Sequence, residues 1–311
     1  MFESLLIFLL LVLFLFASYI VWIINARKYI SSSTVASAYD SWTQDKLLER
    51  LWGEHIHLGF YPSGKKNIDF RKAKVQFVHE LVKWSGLDKL PKGSRVLDVG
   101  CGIGGSSRIL SKYYGFNVTG ITISPAQVKR ARELTPSKLN CNFQVMDALD
   151  LKFEDGSFDA VWSVEAGAHM NDKRKFADEM LRTLRPGGYL ALADWNSRDL
   201  KAYPPSFFEK LVLKQLLEQW VHPNFISINE FGNILKINKN SAGKVISDNW
   251  NAYTNPSWKD SIIEGIRRPF SILSLGPLAI IKSIREIPTI LLMNWAFSKG
   301  LMEFGVYKCR G

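Results

Sequence analysis

The chain has 311 residues, 47% of them hydrophobic and 22% charged, with a formal net charge of +11. That composition excludes a disordered, collagen-like or disulfide-stapled mini-protein. Three scattered cysteines, Cys101, Cys141 and Cys309, are too few for a disulfide framework or a zinc cluster. The charge calls for an acidic partner, either nucleic acid or an anionic membrane.

The first element is a run from Leu5 to Ile24 without a single charge. At about 1.5 Å per residue, such a helix spans roughly the 30 Å of a hydrocarbon core. Tyr19 and Trp22 stand near one end, where amphipathic rings favour an interface, and Arg27 and Lys28 follow at once. The positive-inside bias then keeps the rest of the chain cytoplasmic. A cleaved signal peptide is the competing reading, with Ala36-Ser37-Ala38 as its cleavage site. The missing basic segment before the run and its length count against that.

Residues 33 to 90 read as helical and mixed in charge. Within them Lys65, Lys66, Arg71, Lys72 and Lys74 form a basic cluster. It is either a solvated helix face or a surface for anionic head groups. From Arg95 onward, apolar strands are expected at Arg95–Val99, Val118–Ile123, Phe143–Val145, Phe158–Ser163 and Tyr189–Asp194. Helical stretches at Ser106–Tyr114, Ala126–Leu134 and Lys173–Leu184 separate them. This alternation predicts an α/β fold, a doubly wound parallel sheet covered on both faces. Arg185-Pro-Gly-Gly188 reads as a turn before the fifth strand. Further helices are expected around Ser206–Val221 and Ser261–Lys299, then a last strand at Phe304–Lys308.

The strongest local signal is Val96-Leu-Asp-Val-Gly-Cys-Gly-Ile-Gly-Gly105. A strand runs into Gly100, Gly102, Gly104 and Gly105, and a helix follows. Glycines allow positive φ and close approach to a ligand, and the helix start offers free N–H groups. The spacing is neither the dinucleotide fingerprint nor a P-loop. Asp98 beside the loop disfavours a pyrophosphate and favours a cationic ligand.

On these residues the chain resembles class I S-adenosylmethionine-dependent methyltransferases. The resemblance implies a seven-stranded, mostly parallel, doubly wound Rossmann-like sheet with a helical lid. It also implies S-adenosyl-L-methionine as methyl donor, bound at the carboxyl ends of the strands. Asp98, Gly100, Cys101, Gly102 and Gly104 then cradle the donor, and Asp147-Ala148 meet its adenine. The second strand ends in Gly120-Ile-Thr-Ile-Ser-Pro125, without the usual acid for the ribose. Thr122, Ser124 and Gln127 take its place in this reading. That variant resembles the cyclopropane-synthase and the tocopherol or sterol methyltransferase branches.

Ile123-Ser-Pro-Ala-Gln127, Val161-Trp-Ser-Val-Glu-Ala-Gly-Ala-His-Met170, Ala38-Tyr-Asp-Ser-Trp42, Trp52-Gly-Glu-His-Ile-His-Leu-Gly59 and Arg285-Glu-Ile-Pro-Thr-Ile-Leu-Leu292 look like tocopherol-pathway methyltransferases. This branch implies C-methylation of a prenylated hydroquinone, with γ-tocopherol or a sterol-like lipid as the alternative acceptor. It implies residues 1–30 as anchor and basic flank and 31–311 as the methyltransferase domain. Within the latter, 93–195 form the cofactor-binding core, and 196–303 hold a substrate- and membrane-facing lid. The catalytic domain is expected on the cytoplasmic side of a plasma or thylakoid membrane. The charge of +11 then answers an anionic leaflet, with no nucleic acid as partner.

Making a ring carbon nucleophilic needs removal of a hydroxyl proton, and a free phenol titrates near pH ~10, so a general base helps. Glu165 and His169, four apart, are the candidates, with one helix face as the expected arrangement. Tyr39, His55 and His57 are expected in a lid over substrate or cofactor. His55 and His57 also suit a metal by spacing, but no third ligand matches, and no metal is expected.

Overall fold

The computed structural model describes residues 2–24, 28–62, 68–241 and 244–311. Helices come first: α1 (Phe2–Ile24), α2 (Ser32–Gln44), α3 (Leu47–Trp52) and α4 (Phe70–Ser85). Then strands and helices alternate: β1 (Arg95–Val99), α5 (Gly105–Tyr114), β2 (Asn117–Thr122), α6 (Pro125–Leu134), β3 (Cys141–Val145), β4 (Phe158–Val164), α7 (Lys173–Thr183) and β5 (Leu184–Ser197). The rest is α8 (Phe207–Gln219), α9 (Ile228–Lys236), β6 (Ile246–Asn249), α10 (Asn251–Thr254), α11 (Pro256–Arg267), α12 (Pro269–Leu273), α13 (Pro277–Ser298) and β7 (Met302–Arg310).

The strands make one sheet in the order β3-β2-β1-β4-β5-β7-β6. β1 to β5 run parallel, and β7 lies antiparallel between β5 and β6. The expected seven-stranded, mostly parallel sheet is therefore the observed one. Its strands are apolar on both faces because both are covered. Val96, Ala160, Trp162, Ala191 and Trp195 join one core with α4, α8, α11 and α13. Their neighbours Leu97, Val161, Leu190 and Leu192 join another core with α7 and α9. The order of connections reverses between β1 and β4. Ligands of open α/β sheets bind outside the carboxyl ends of the strands at such a point.

Several expectations need correction. The helix expected over Ser261–Lys299 is three helices, because Pro269 and Pro277 each open a new one. Proline at a first helical position is pre-set in φ but cannot continue a preceding helix. The 185–188 turn is absorbed into a long, irregular β5, with a register shift against Phe158 and Ala160. β6 is not among the expected strands. Its four residues are all exposed, so no apolar pattern marks it.

The basic cluster is not a single solvated face. Lys74 is buried, its Nζ donating to the His55 carbonyl at 2.7 Å and lying 4.5 Å and 4.3 Å from the Trp52 and Phe70 ring centres. Burial drives its ammonium pKa well below the usual value. Arg71 donates to the Arg50 and Leu51 carbonyls. Lys72 alone of the described members is exposed. Arg27, Lys65 and Lys66 lie outside the described residues, as does the side chain of Trp22.

α1 is long and apolar enough over Ser4–Val21 to cross a membrane, and its side chains there lie outside the protein core. The Tyr19 hydroxyl donates to the Ile284 carbonyl of α13 at 2.9 Å.

Candidate active site

At the carboxyl ends of β1 to β4 lies a cavity lined by the glycine loop and by the 54–57 segment, α2, and the ends of β4, β5 and α8. Asp98, Gly100, Cys101, Gly102, Thr122, Gln127, Asp147, Ala148, Glu165, His169, Tyr39, His55 and His57 all reach it. Two expected residues do not. Gly104 packs under Phe143 and Arg108. The Ser124 hydroxyl caps α6 by accepting from the Gln127 N–H and donates to Asp40 at 2.5 Å. Thr122 donates to the Gln127 side chain at 2.6 Å. The Thr-x-Ser-x-x-Gln segment thus braces itself, and Asp40 ties α2 to it.

Two glycines shape the loop. Gly102 sits at φ +54, and a Cβ there would meet nothing nearer than Gln127 Nε2 at 4.0 Å. A side chain would therefore fill the cavity rather than the protein. At Gly105 a Cβ would strike the Glu54 carbonyl and the His55 ring. The 54–57 segment closes on the loop only because that position is bare. Arg108 fixes this contact, with Nη2 2.7 Å from Glu54 Oε2 and Nη1 2.8 Å from the Ile103 carbonyl.

The electrostatics centre on buried acids. Asp98 is 2% exposed, and its carboxylate accepts from the Ser107 hydroxyl at 2.5 Å. Among the described residues it forms no ion pair, and burial lifts its pKa to about 7. Glu165 is lifted to about 8, again by burial, although it accepts the Leu58 N–H at 2.6 Å. Cys101 is pushed well up by burial, so its thiol stays protonated and is no nucleophile.

Glu165 and His169 do not share a helix face. Glu165 takes the left-handed φ of +54, and a short 3-10 turn, Gly167–His169, follows it. A non-glycine residue held there costs on the order of 1–3 kcal/mol, which the β4 end and the Leu58 hydrogen bond offset. The orienting partners of His169 are others. Its Nδ1 lies 3.3 Å from the Val221 carbonyl, and its Nε2 lies 2.8 Å from the Tyr39 hydroxyl. A carbonyl only accepts, so Nδ1 bears the proton and Nε2 accepts from Tyr39. Burial lowers the His169 pKa to about 4 and raises that of Tyr39, so both are neutral near pH 7.

His55 and His57 bond each other, Nδ1 of His55 to Nε2 of His57 at 3.1 Å, and His57 Nδ1 donates to the Leu58 carbonyl at 2.8 Å. Burial holds both neutral. Among the described residues no three His, Cys, Asp or Glu side chains converge as a metal site.

Residues missed in the sequence complete the chamber. His222 stacks on His169 with ring centres 4.2 Å apart. Among the described residues its ring nitrogens make no hydrogen bond of normal geometry, and burial, with His169 and Lys173 close by, drives its pKa well below the usual value. The indole N–H of Trp220 is likewise unpaired among the described residues, whereas that of Trp195 lies close enough to the Glu165 carboxylate to lower its pKa. These residues come from β5 and the end of α8, far from the glycine loop in sequence. Trp195 falls in Ala193-Asp-Trp-Asn196, but no spacing marks His222.

A glycine cradle under a buried acid, at the switch point of such a sheet, defines a class I S-adenosylmethionine-dependent methyltransferase. The Methyltransferase domain family matches residues 97–192. The fold agrees with that of geranyl diphosphate C-methyltransferase from Streptomyces coelicolor, at a TM-score of 0.66 and 18% identity over 89% of this chain and 96% of that one. The 2-methyl-6-phytyl-1,4-hydroquinone methyltransferase of Synechocystis is 55% identical over 287 residues, 92% of this chain and 90% of the relative. The chloroplastic tocopherol O-methyltransferase of Arabidopsis thaliana is 34% identical over 85% of this chain and 78% of its own length. The chain belongs to this family of tocopherol-pathway methyltransferases.

Proposed function

We propose that the chain transfers the methyl group of S-adenosyl-L-methionine to a ring carbon of a prenylated hydroquinone, converting 2-methyl-6-phytyl-1,4-hydroquinol to 2,3-dimethyl-6-phytyl-1,4-hydroquinol. The observation that supports this best is the junction of two chambers of different chemistry. The Asp98 cradle opens directly onto the aromatic chamber of Tyr39, His169, Trp195, Trp220 and His222, and the Synechocystis relative's name specifies a phytylated hydroquinone.

The cradle fits the donor. Asp98 is a buried acid without a cationic partner among the described residues, beside an open glycine. A ligand with an ammonium and a sulfonium group supplies the missing positive charge. Asp147, just after β3, Thr122, at the end of β2, and Gln127, in the first turn of α6, are the polar groups for its nucleoside part. When bound, the donor supplies an electrophilic methyl.

The chain's own residues prepare the acceptor. Tyr39 gives its proton to His169 Nε2, which leaves its oxygen lone pairs to accept from a ring hydroxyl in the chamber. The acceptor proton moves to Tyr39 as the Tyr39 proton moves to neutral His169. Charge then builds on the ring carbon that faces the methyl. Once that carbon is methylated, its own ring proton departs to solvent and the His169 proton returns through Tyr39 to the ring oxygen, so one proton is released per turnover. The Trp220 N–H, unpaired among the described residues, and the ring of His222 hold the acceptor's oxygens. Trp195 and Trp220, with centres 5.3 Å apart, form an apolar wall for the ring. Glu165 supports the floor and keeps the 58 backbone in place.

A membrane seat agrees with the apolar surface. α1 stands outside the core, and α11 to α13 expose Ile266, Phe270, Leu273, Ile284, Ile287 and Leu291. A contiguous patch of that kind marks an interaction surface, here the face of an anionic leaflet with Arg267 and Arg268 at its rim. Removing residues 1–30 is expected to shift the protein from the membrane pellet to the soluble fraction while calorimetric affinity for the donor stays within about twofold. Persistence in the pellet would place attachment in the α11–α13 ridge alone. For the reaction, the full chain with radiolabelled donor is offered 2-methyl-6-phytylhydroquinol, γ-tocopherol and a sterol. Label on the hydroquinone ring is the expected outcome, and label only on the chromanol or sterol would refute the choice of acceptor.

A further inference from the structure

A second cavity of about 720 Å³ lies between α2, α3 and α13. We propose that it seats the prenyl chain of the acceptor, received from the apolar surface of α13 rather than from water. This rests on the hydroquinone reading above and specifies how the same site chooses its lipid.

The cavity shares Tyr39, Ile56 and Trp220 with the aromatic chamber, so the two adjoin across these side chains. A substituent leaving that ring on the Trp220 side enters the second cavity. The volume falls within the roughly 300–1,000 Å³ of sites that enclose a drug-sized ligand. Leu47, Leu48, Trp52, Ile281 and Ile290 give it apolar walls. Along α2, Ser33, Ser37 and Ser41 recur every fourth residue on one helix face, with Ala38 beside them. Small side chains there leave the space open. Arg285, Glu286 and Asp45 also border the cavity, and each has an interaction of its own. A chain of carbon and hydrogen asks nothing of them.

The cavity also meets the apolar exterior. Ile281 lines it and is itself half-exposed, and Ile284 and Ile287 continue the same exposed ridge. Tyr19 of the apolar helix α1 is hydrogen-bonded to the Ile284 carbonyl, so that helix touches α13 about one turn from the cavity-lining Ile281. A chain moving from hydrocarbon into this cavity changes its surroundings little and gains little from burial. Its effect is placement. A seated chain fixes which ring carbon faces the methyl, and such positioning appears in turnover.

The test uses the full chain in lipid nanodiscs with two acceptors, phytylated and five-carbon-prenylated methylhydroquinol. Wild type is expected to favour the phytyl acceptor at least tenfold in kcat/KM. Ser37→Trp places an indole in the cavity from an exposed position, and Ser41→Trp does so one turn further on. In both, the phytyl preference is expected to fall to near unity, with the donor affinity by calorimetry reporting an intact fold. An unchanged preference overturns the chain seat. A wild type that methylates neither hydroquinone refutes the acceptor reading instead. A phytyl-length alkyl diazirine then tests the cavity without turnover. Photolabel on peptides spanning 33–48 and 281–290 is the expected result, and label confined to other peptides overturns the proposal.

Discussion

Asp98→Asn is expected to weaken S-adenosylmethionine binding by about a hundredfold or more while leaving the apo protein at least as stable. Removing one member of a buried, hydrogen-bonded charge pair costs roughly 2–5 kcal/mol of binding. Here, among the described residues, the charge has no cationic partner until the donor arrives. The sign for stability is opposite to the usual carboxylate case. The folded pKa of Asp98, about 7, lies above its ordinary value because burial disfavours the anion. The folded state therefore holds the proton more tightly than the unfolded state, and stability declines as pH rises from the carboxyl range through about 7. A neutral amide at this position lifts that penalty, so the apo Tm of the variant at pH 8 should equal or exceed that of wild type. The same linkage governs the donor. Its cationic groups favour the carboxylate, so binding expels a proton at pH values below about 7, and affinity weakens as pH falls. Calorimetry at pH 6 in buffers of different ionisation enthalpy should report release approaching one proton per site in wild type and less in the variant. Equal affinity in the variant would remove Asp98 from donor recognition.

The parts legible in sequence are those whose signal is local. β1, β2, β4 and β5 announce themselves as apolar runs because both faces of the sheet are covered. The Val96–Gly105 segment is legible because positive φ at the loop requires glycine. What escaped depends on contacts between distant segments. Lys74 reads as a surface cation until Trp52 and Phe70 are seen to enclose it. His222 reads as a lone histidine, and only the approach of the α8 end to the 3-10 turn stacks it on His169. Ser124 looks like a ligand residue, yet the carboxylate of Asp40, 84 residues earlier, claims its hydroxyl. The i, i+4 spacing of Glu165 and His169 suggested a helix. The close packing of Ala166 against Gly100 and the left-handed φ of Glu165 break it, and no residue-type rule foretells that conformation at a glutamate.

The strongest effect on turnover should come from the Tyr39–His169 pair. Tyr39→Phe and His169→Ala are each expected to lower kcat by roughly 10²–10⁴, the usual contribution of a positioned acid–base group, with donor affinity changed far less. The pair works as one relay, because the Tyr39 proton is committed to His169 Nε2 and the Val221 carbonyl fixes the tautomer. The double variant should then lose little more than either single one, as residues that act as a unit do. Multiplied losses would mean two independent roles. The pH profile separates this relay from Glu165 as the base. Burial holds His169 at about 4 and Glu165 at about 8. A neutral His169 accepts protons throughout the range above its own pKa. The kcat of wild type should therefore be flat from about pH 5.5 to 7.5. A Glu165 base must first lose its proton, which would give a limb rising nearly tenfold per pH unit towards about 8. That limb, abolished in Glu165→Gln, would transfer the general-base role to Glu165 and leave Tyr39 and His169 as groups that merely orient the ring.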